Sequence, residues 1–164
     1  MNKTGIEEYI EMYQERLTRL CINLCGNYSD AEDLFQETWL KAVKYFDKYD
    51  KTRDFDKWLF KICINTYKNN CKSLCRHRNI SFATTEEKDI FLSSIPDNEI
   101  KNETYRELIE IIKTLPEKYR MVLALRYFND YSEKDTAEFL NIPVGTVKSR
   151  LNKAKQIIKR RLLI

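Results

Sequence analysis

The sequence is poor in the residues that turn a chain. Three glycines and three prolines serve 164 positions. Barrels, sandwiches and doubly wound α/β folds need turn residues about every 8–12 positions, so the scarcity argues against them. Gly5, Gly26 and Gly145 stand too far apart to build a phosphate-cradling loop or a dinucleotide fingerprint. The one histidine, His77, removes His-paired metal motifs and argues against a catalytic triad. No uncharged run is long enough to span a bilayer, and the acidic start (Glu7, Glu8, Glu11) is unlike a signal peptide.

Five cysteines without an export signal point to a reducing cytosol, and an odd number cannot close a complete intrachain disulfide set. Cys21/Cys25 and Cys71/Cys75 are spaced i, i+4. Zinc ligands usually come as CxxC on a tight turn, so small buried hydrophobes are the expected reading. A metal-dependent helical enzyme built on these four cysteines stays open as a reading from another class, weakened by the absence of carboxylate–His pairs. No catalytic, cofactor-binding or metal residue is assigned.

Hydrophobic residues make up 43% of the chain and charged residues 33%, enough apolar content to bury a core. The net charge of +4 is unevenly spread. Residues 1–77 are near balance at +1, residues 78–101 carry −2, and residues 102–164 carry +5. Two stretches, 57–85 and 139–164, hold no acid at all. Acid-free basic segments are footprints for phosphate, because each cation that meets one releases condensed counterions. A solvated helix face is the ordinary alternative for either stretch alone.

Apolar spacing predicts a helix over about 6–25, ended by Gly26 and Asn27. A second opens at Ser29 as N-cap with Glu32 in a capping box, its core stripe being Ala31, Phe35, Trp39, Ala42 and Phe46. A third runs from Asp56 to about Arg76. From about 79 to 101 the periodicity breaks in an acidic, Ser/Thr-rich stretch that reads as a linker, with at most a short turn around Glu86–Leu92. Beyond it come a helix bearing Leu108, Ile111, Ile112 and Leu115, and another after Pro116 that buries Tyr119, Val122, Leu123, Leu125 and Tyr127 in part. A short helix capped by Ser132 follows, then a turn from Asn141 to Gly145 and a last helix to about Leu162. The fold class is therefore all-α: two small helical domains, 1–78 and 102–164, joined by a flexible linker, 79–101.

Three faces carry functional signal. In the last unit Val147, Leu151, Ala154 and Ile158 form the buried stripe, which turns Lys148, Ser149, Asn152, Lys153 and Gln156 outward, with Arg150 and Lys155 on the flanks. A capped helix, a turn and a basic helix match helix-turn-helix geometry, and these side chains suit base edges and phosphates. On the third helix Lys57, Lys61, Asn65, Lys68, Lys72 and Arg76 share one arc of roughly 100°, with Trp58 at its edge. A cationic track beside an aromatic ring suits a strand whose bases are unstacked. On the second helix Asp33, Gln36 and Glu37 frame Leu40, which reads as a docking face for a basic protein partner.

Together SDAEDLFQETWLKAV, FDKWLFKICINTYKNNCKSLCR and LPEKYRMVLALRYFNDYSEKDTAEFLNIPVGTVKSRLNKAKQIIKRRL resemble a bacterial RNA polymerase sigma factor of the extracytoplasmic-function (ECF) subfamily of the sigma-70 family. The resemblance implies a sigma2 domain that binds polymerase core and reads the −10 element, and a sigma4 helix-turn-helix domain that reads the −35 element. It implies docking on the β′ clamp helices through Asp33, Gln36, Glu37 and Leu40, with the β flap as a further polymerase contact. It implies −10 contacts from Trp58, Lys61, Asn65, Lys68, Lys72 and Arg76, with the loop Asp47–Phe55 before them. It implies −35 contacts from Thr146, Lys148, Ser149, Arg150, Asn152 and Lys153, with Arg126 and Ser132 near phosphates. Promoter DNA and an anti-sigma factor are the other implied partners, the setting is cytoplasmic, and no direct membrane insertion is expected. Family members commonly carry Arg where Lys148 and Lys153 stand, and an ammonium cannot make the bidentate guanine contact of a guanidinium. The rival reading is a stand-alone dimeric helix-turn-helix regulator, which would bind a palindrome without polymerase.

Overall fold

The computed structural model of the chain describes residues 4–74 and 103–162. The first half contains α1 (Thr4–Cys25), α2 (Tyr28–Tyr45), a single 3-10 turn (Phe46–Lys48) and α3 (Phe55–Leu74). The second contains α4 (Glu103–Thr114), α5 (Glu117–Leu123), a π-helical turn (Ala124–Phe128), α6 (Glu133–Leu140) and α7 (Val144–Leu162). No strand occurs among the described residues. The linker expected over 79–101, with its turn around Glu86–Leu92, lies outside them.

Local chemistry sets the boundaries. Gly26 ends α1 at φ +73°, a backbone conformation other residues enter at a cost. Asn27, not Ser29, caps α2: its side chain accepts the Asp30 N–H at 2.9 Å. The capping box expected at Ser29 fails because the helix has already begun at Tyr28. α2 buries Ala31, Leu34, Thr38, Trp39 and Ala42, whereas Phe35 and Phe46 are only half-buried. Thr38 can lie inside because its hydroxyl donates to the Leu34 carbonyl at 2.7 Å. At the start of α3, Phe55 packs on Tyr9, with the rings stacked 4.1 Å apart.

In the second half, the π-helical turn after α5 widens the helix by one residue and resets its faces. Tyr127, expected partly buried, is therefore 46% exposed. Ser132 caps α6 as expected, accepting the Asp135 N–H at 3.0 Å. The left-handed residue that ends α6 is Asn141 at φ +54°. Gly145 is not part of the turn: it lies in the first turn of α7, where a Cβ would meet nothing within 4 Å.

The two halves pack against each other. From Leu17 to Leu24 every residue of α1 except Arg19 is buried, around its full circumference. One side of α1 meets α2 and α3, and the other meets α4, α5 and the π-helical turn. A helix apolar on all sides needs cover on all sides. Thr18 and Asn23 satisfy their polar atoms on the Gln14 and Arg19 carbonyls of the same helix. At the seam, Arg120 donates to the Tyr67 hydroxyl at 3.3 Å, and Tyr67 in turn donates to the Leu24 carbonyl at 2.9 Å. Gly26 lies close to this contact: a Cβ there would stand 3.0 Å from the Arg120 guanidinium.

Phe60 is fully buried in α3, its ring edge-on to Tyr131 at 5.9 Å. Phe60→Ala should lower the unfolding free energy by about 3–5 kcal/mol through lost transfer and an unfilled cavity. Asn27→Ala should cost only about 0.5–2 kcal/mol as a lost cap. Urea unfolding followed by circular dichroism measures both, and equal losses would contradict this ranking.

Candidate nucleic-acid interface

α3 buries Leu59, Phe60, Cys63, Ile64, Thr66 and Tyr67 and turns Lys57, Lys61 and Asn65 to solvent. Lys68 is half-buried. The side chain of Lys72 and all of Arg76 lie outside the described residues. Trp58 is half-buried, 5.0 Å from the Tyr49 ring and 5.5 Å from Phe55. It lines a cavity of about 570 Å³ between the loop before α3 and the face of α6. Lys48, Arg53, Lys57 and Lys61 line that cavity together with the carboxylates of Asp50, Asp54, Asp135 and Glu138.

The loop is tied by its own polar groups. Asp50 accepts from the Thr52 N–H at 3.0 Å and from its hydroxyl at 2.7 Å, and these bonds hold its carboxyl below the usual range. Tyr49 donates its hydroxyl to the Arg53 carbonyl. The sequence reading took in this loop as a segment but did not single out Lys48, Tyr49 and Arg53. The signal available was the Asp50-x-Thr52 turn pattern beside two cations.

On α7, Val147, Leu151 and Ala154 are buried and Ile158 is half-buried. Lys148, Ser149, Asn152, Lys153 and Gln156 are exposed together, flanked by half-buried Thr146 and Arg150. The Ser149 hydroxyl rests on the Thr146 carbonyl at 3.1 Å, and Lys148 lies 3.8 Å from Glu133. Ser132 is exposed at the start of α6. Arg126 is half-buried over the Tyr127 ring, which also carries Lys155 at 5.0 Å. Tyr127 was not anticipated in this surface; the wide turn that exposes it has no sequence signature here.

On α2, Asp33 and Gln36 are exposed and Leu40 is 71% exposed. Val43, one turn further on, adds a second outward apolar side chain that the sequence reading passed over. Glu37 is tied at both oxygens, to Lys41 at 3.1 Å and to Asn70 of α3 at 3.0 Å. The Asn70 bond, assisted by Lys41, holds the Glu37 carboxyl below its ordinary value. The apolar–acidic face is thus bolted to the helix that carries the cationic track.

The described cysteines, Cys21, Cys25 and Cys63, lie apart from all three faces. Cys21 Sγ is 3.8 Å from Cys63 Sγ across α1 and α3, and burial pushes the Cys21 thiol well up. A buried thiol with a raised pKa is a poor nucleophile and behaves as a small hydrophobe. Among the described residues no group of three His, Cys, Asp or Glu side chains could hold a metal ion. The side chain of Cys71 and all of Cys75 lie outside them. No helix among the described residues is long and apolar enough to cross a membrane.

Comparison with known proteins matches residues 9–77 to Sigma-70 region 2 and residues 105–158 to Sigma-70 region 4. The chain is 29% identical to the ECF RNA polymerase sigma factor SigW of Bacillus subtilis, over 98% of this chain and 90% of that protein. It is 30% identical to the RNA polymerase sigma-H factor of Pseudomonas aeruginosa, over 98% and 88%. It is 31% identical to the ECF RNA polymerase sigma-E factor of Escherichia coli K12, over 92% and 82%. Among solved structures, the sigma factor RpoE in complex with the anti-sigma factor NepR from Bartonella quintana superposes with a TM-score of 0.73 at 19% identity, covering 97% of both chains. CnrH in complex with the cytosolic domain of CnrY gives 0.66 at 20% identity, covering 98% of this chain and 89% of that one. At those identities the two structures speak to the fold.

The Glu37 bond makes part of the stability depend on pH. Its folded pKa is depressed, so the bond contributes stability that is fully present above the unfolded value, about 4.3. That contribution is lost as pH falls through the folded value. Asn70→Ala should move the Glu37 carboxyl back up toward that ordinary value in a carbon-13 NMR titration. An unchanged titration would contradict the assignment of Asn70 as the main cause.

Proposed function

The chain belongs to the ECF subfamily of the sigma-70 family, and from that membership we propose how its three faces divide the work of transcription initiation. The protein is a sigma factor: it directs RNA polymerase core to selected promoters and is a regulatory, non-catalytic subunit. The residue roles and the boundaries of the two units, 1–78 and 102–164 around a linker 79–101, are our reading. It performs no covalent step; positioning and electrostatics are its whole contribution.

Core polymerase docks on α2. Leu40 supplies the apolar anchor, Asp33, Gln36 and Glu37 frame it, and Val43 extends it along the helix. Because Asn70 grips Glu37, docking there fixes α3 in register with the polymerase. The non-template strand then runs along α3, with Lys61 and Lys68 on phosphates, Asn65 on a base edge and Trp58 as a stacking platform beside the cavity. Lys72 and Arg76 continue the track. At the other end α7 enters the major groove at the −35 element, with Lys148, Ser149, Asn152 and Lys153 toward the bases. Thr146 and Arg150 flank them, and Arg126 and Ser132 meet phosphates. With lysines at 148 and 153, specificity leans on single contacts and groove shape rather than on bidentate guanine pairs.

What supports this reading is a coincidence of order and exposure: region 2 precedes region 4 along the chain. The described side chains assigned to polymerase and DNA are exposed or half-buried, and none lies in the core. The setting is the cytoplasm, where core polymerase and promoter DNA are found. An anti-sigma factor is the expected inhibitor, since the sigma factor RpoE of similar fold is solved in complex with the anti-sigma factor NepR. The dimeric-regulator alternative is not favoured.

Charge reversal on each face separates the roles. Glu37→Lys should cut retention of core on tagged protein by about tenfold or more. Lys153→Glu should leave core retention intact and lower promoter-directed initiation in vitro by about tenfold or more, since a base or phosphate contact is worth on the order of 1–3 kcal/mol. Wild-type behaviour of both variants would refute the surface assignments. Absence of promoter-directed initiation by wild-type protein with core on any genomic fragment would refute the function.

A further inference from the structure

Both ends of α6 are fixed by local bonds. Ser132 caps its start by accepting the Asp135 N–H at 3.0 Å. At its end the left-handed Asn141 lets the Ile142 N–H reach back to the Ala137 carbonyl at 3.1 Å. Thr136, Ala137, Phe139 and Leu140 of α6 are buried, as are Val147, Leu151 and Ala154 of α7. Glu133, the first residue of α6, therefore has a set place beside the start of α7. There its Oε2 lies 3.8 Å from Lys148 Nζ. Among the described residues, Lys148 is the one cation of α7 with a carboxylate within 4 Å. The two side chains are 62% and 38% exposed, so the pair adds little to stability. Its consequence lies in where the ammonium can be.

A lysine free to swing is a poor reader of bases, because its ammonium is a point charge on a flexible four-carbon stem. Guanine N7 and O6, adenine N7 and thymine O4 all accept hydrogen bonds in the major groove, so such an ammonium is satisfied by any of three bases. Holding it changes the comparison. Guanine alone sets two acceptors side by side, whereas adenine puts its N6 donor next to N7 and thymine puts a methyl group next to O4. An ammonium kept at one place between two acceptor positions is attracted twice by guanine and once by its rivals. One of its three N–H groups faces the carboxylate, and the others remain for the base. Glu133 also suits the positive end of α6, but that role alone would affect every base position alike.

We propose that Glu133 is a positioning residue for −35 reading: its carboxylate holds the Lys148 ammonium between N7 and O6 of one guanine. This rests on the sigma-factor reading above and deepens it, naming the base at one −35 position and the side chain that enforces the choice. The tether supplies part of the fixed geometry that a guanidinium carries in its own plane.

The test uses full-length protein with core polymerase on a promoter it initiates, with the −35 element randomised and the transcripts sequenced to give a base preference at each position. Wild type should prefer guanine at one position, which Lys148→Ala identifies by losing that preference. Glu133→Ala should lower the guanine preference there, on the order of fivefold, and leave the other positions unchanged. Glu133→Gln, which keeps an acceptor oxygen without the charge, should fall between. Lys148→Arg in the Glu133→Ala background should restore the preference, because a guanidinium fork needs no tether; a merely structural role for Glu133 would not be rescued in this way. Glu11→Gln, on the exposed face of α1, is the control for loss of charge and should change nothing. An unchanged guanine preference in Glu133→Ala overturns the proposal. So does a loss spread over all −35 positions, or the lack of any guanine preference that depends on Lys148. Each of these results leaves the sigma-factor reading standing, whereas absence of initiation by wild-type protein removes both.

Discussion

Asp56 is the point on which the arrangement turns. Placed in the first turn of α3, its carboxylate takes the Tyr131 hydroxyl of one half and the Arg16 guanidinium of the other. Burial and the neighbouring carboxylate push the Tyr131 phenol far up, so it stays a donor at every physiological pH. Loss of Asp56 would leave the buried Tyr131 hydroxyl short of its acceptor. The aromatic rings around it, Phe60, Tyr131 and Phe139, supply the apolar part of the same seam. The described residues form one continuous core because this seam and the all-round apolar end of α1 bridge the halves.

Charge does the complementary work. The stretches without acid, 57–85 and 139–164, contain the two ridges that face solvent on α3 and α7. The acids sit where they can act on other things: Asp33 and Glu37 beside Leu40, and Asp135 and Glu138 above the α3 track. A chain of only modest net charge thus presents basic ridges on α3 and α7, with single carboxylates, Asp135 and Glu133, standing beside Lys57 and Lys148. Glu37 shows how the faces are coupled, its oxygens reaching Lys41 on its own helix and Asn70 on α3.

Much of this was legible in the sequence, and the misses have definite causes. Period 3.6 alone located the helices and predicted the burial of Val147, Leu151 and Ala154, hence the outward set on α7. It placed Lys57, Lys61 and Asn65 on the solvent side of α3. Capping chemistry succeeded at Ser132 and failed at Ser29, because Asn27 offers the same kind of acceptor two residues earlier. Gly145 was taken for the turn residue, yet Asn141 adopts the left-handed conformation, as asparagine does more readily than most side chains. Tyr127 surfaced through a π-helical turn for which periodicity has no sign. Packing between the halves did leave a trace in the sequence: from Leu17 to Cys25 only Arg19 is charged, so that segment has no polar face to give to water. A helix scored only for its best apolar stripe hides that.

The most direct measurement is permanganate reactivity of thymines, mapped by sequencing, on genomic DNA incubated with core polymerase and this chain. The account predicts reactive thymines in short clusters just upstream of defined start sites, appearing only when core and chain are both present. Clusters that form with the chain alone, or no clusters with the pair, would contradict it.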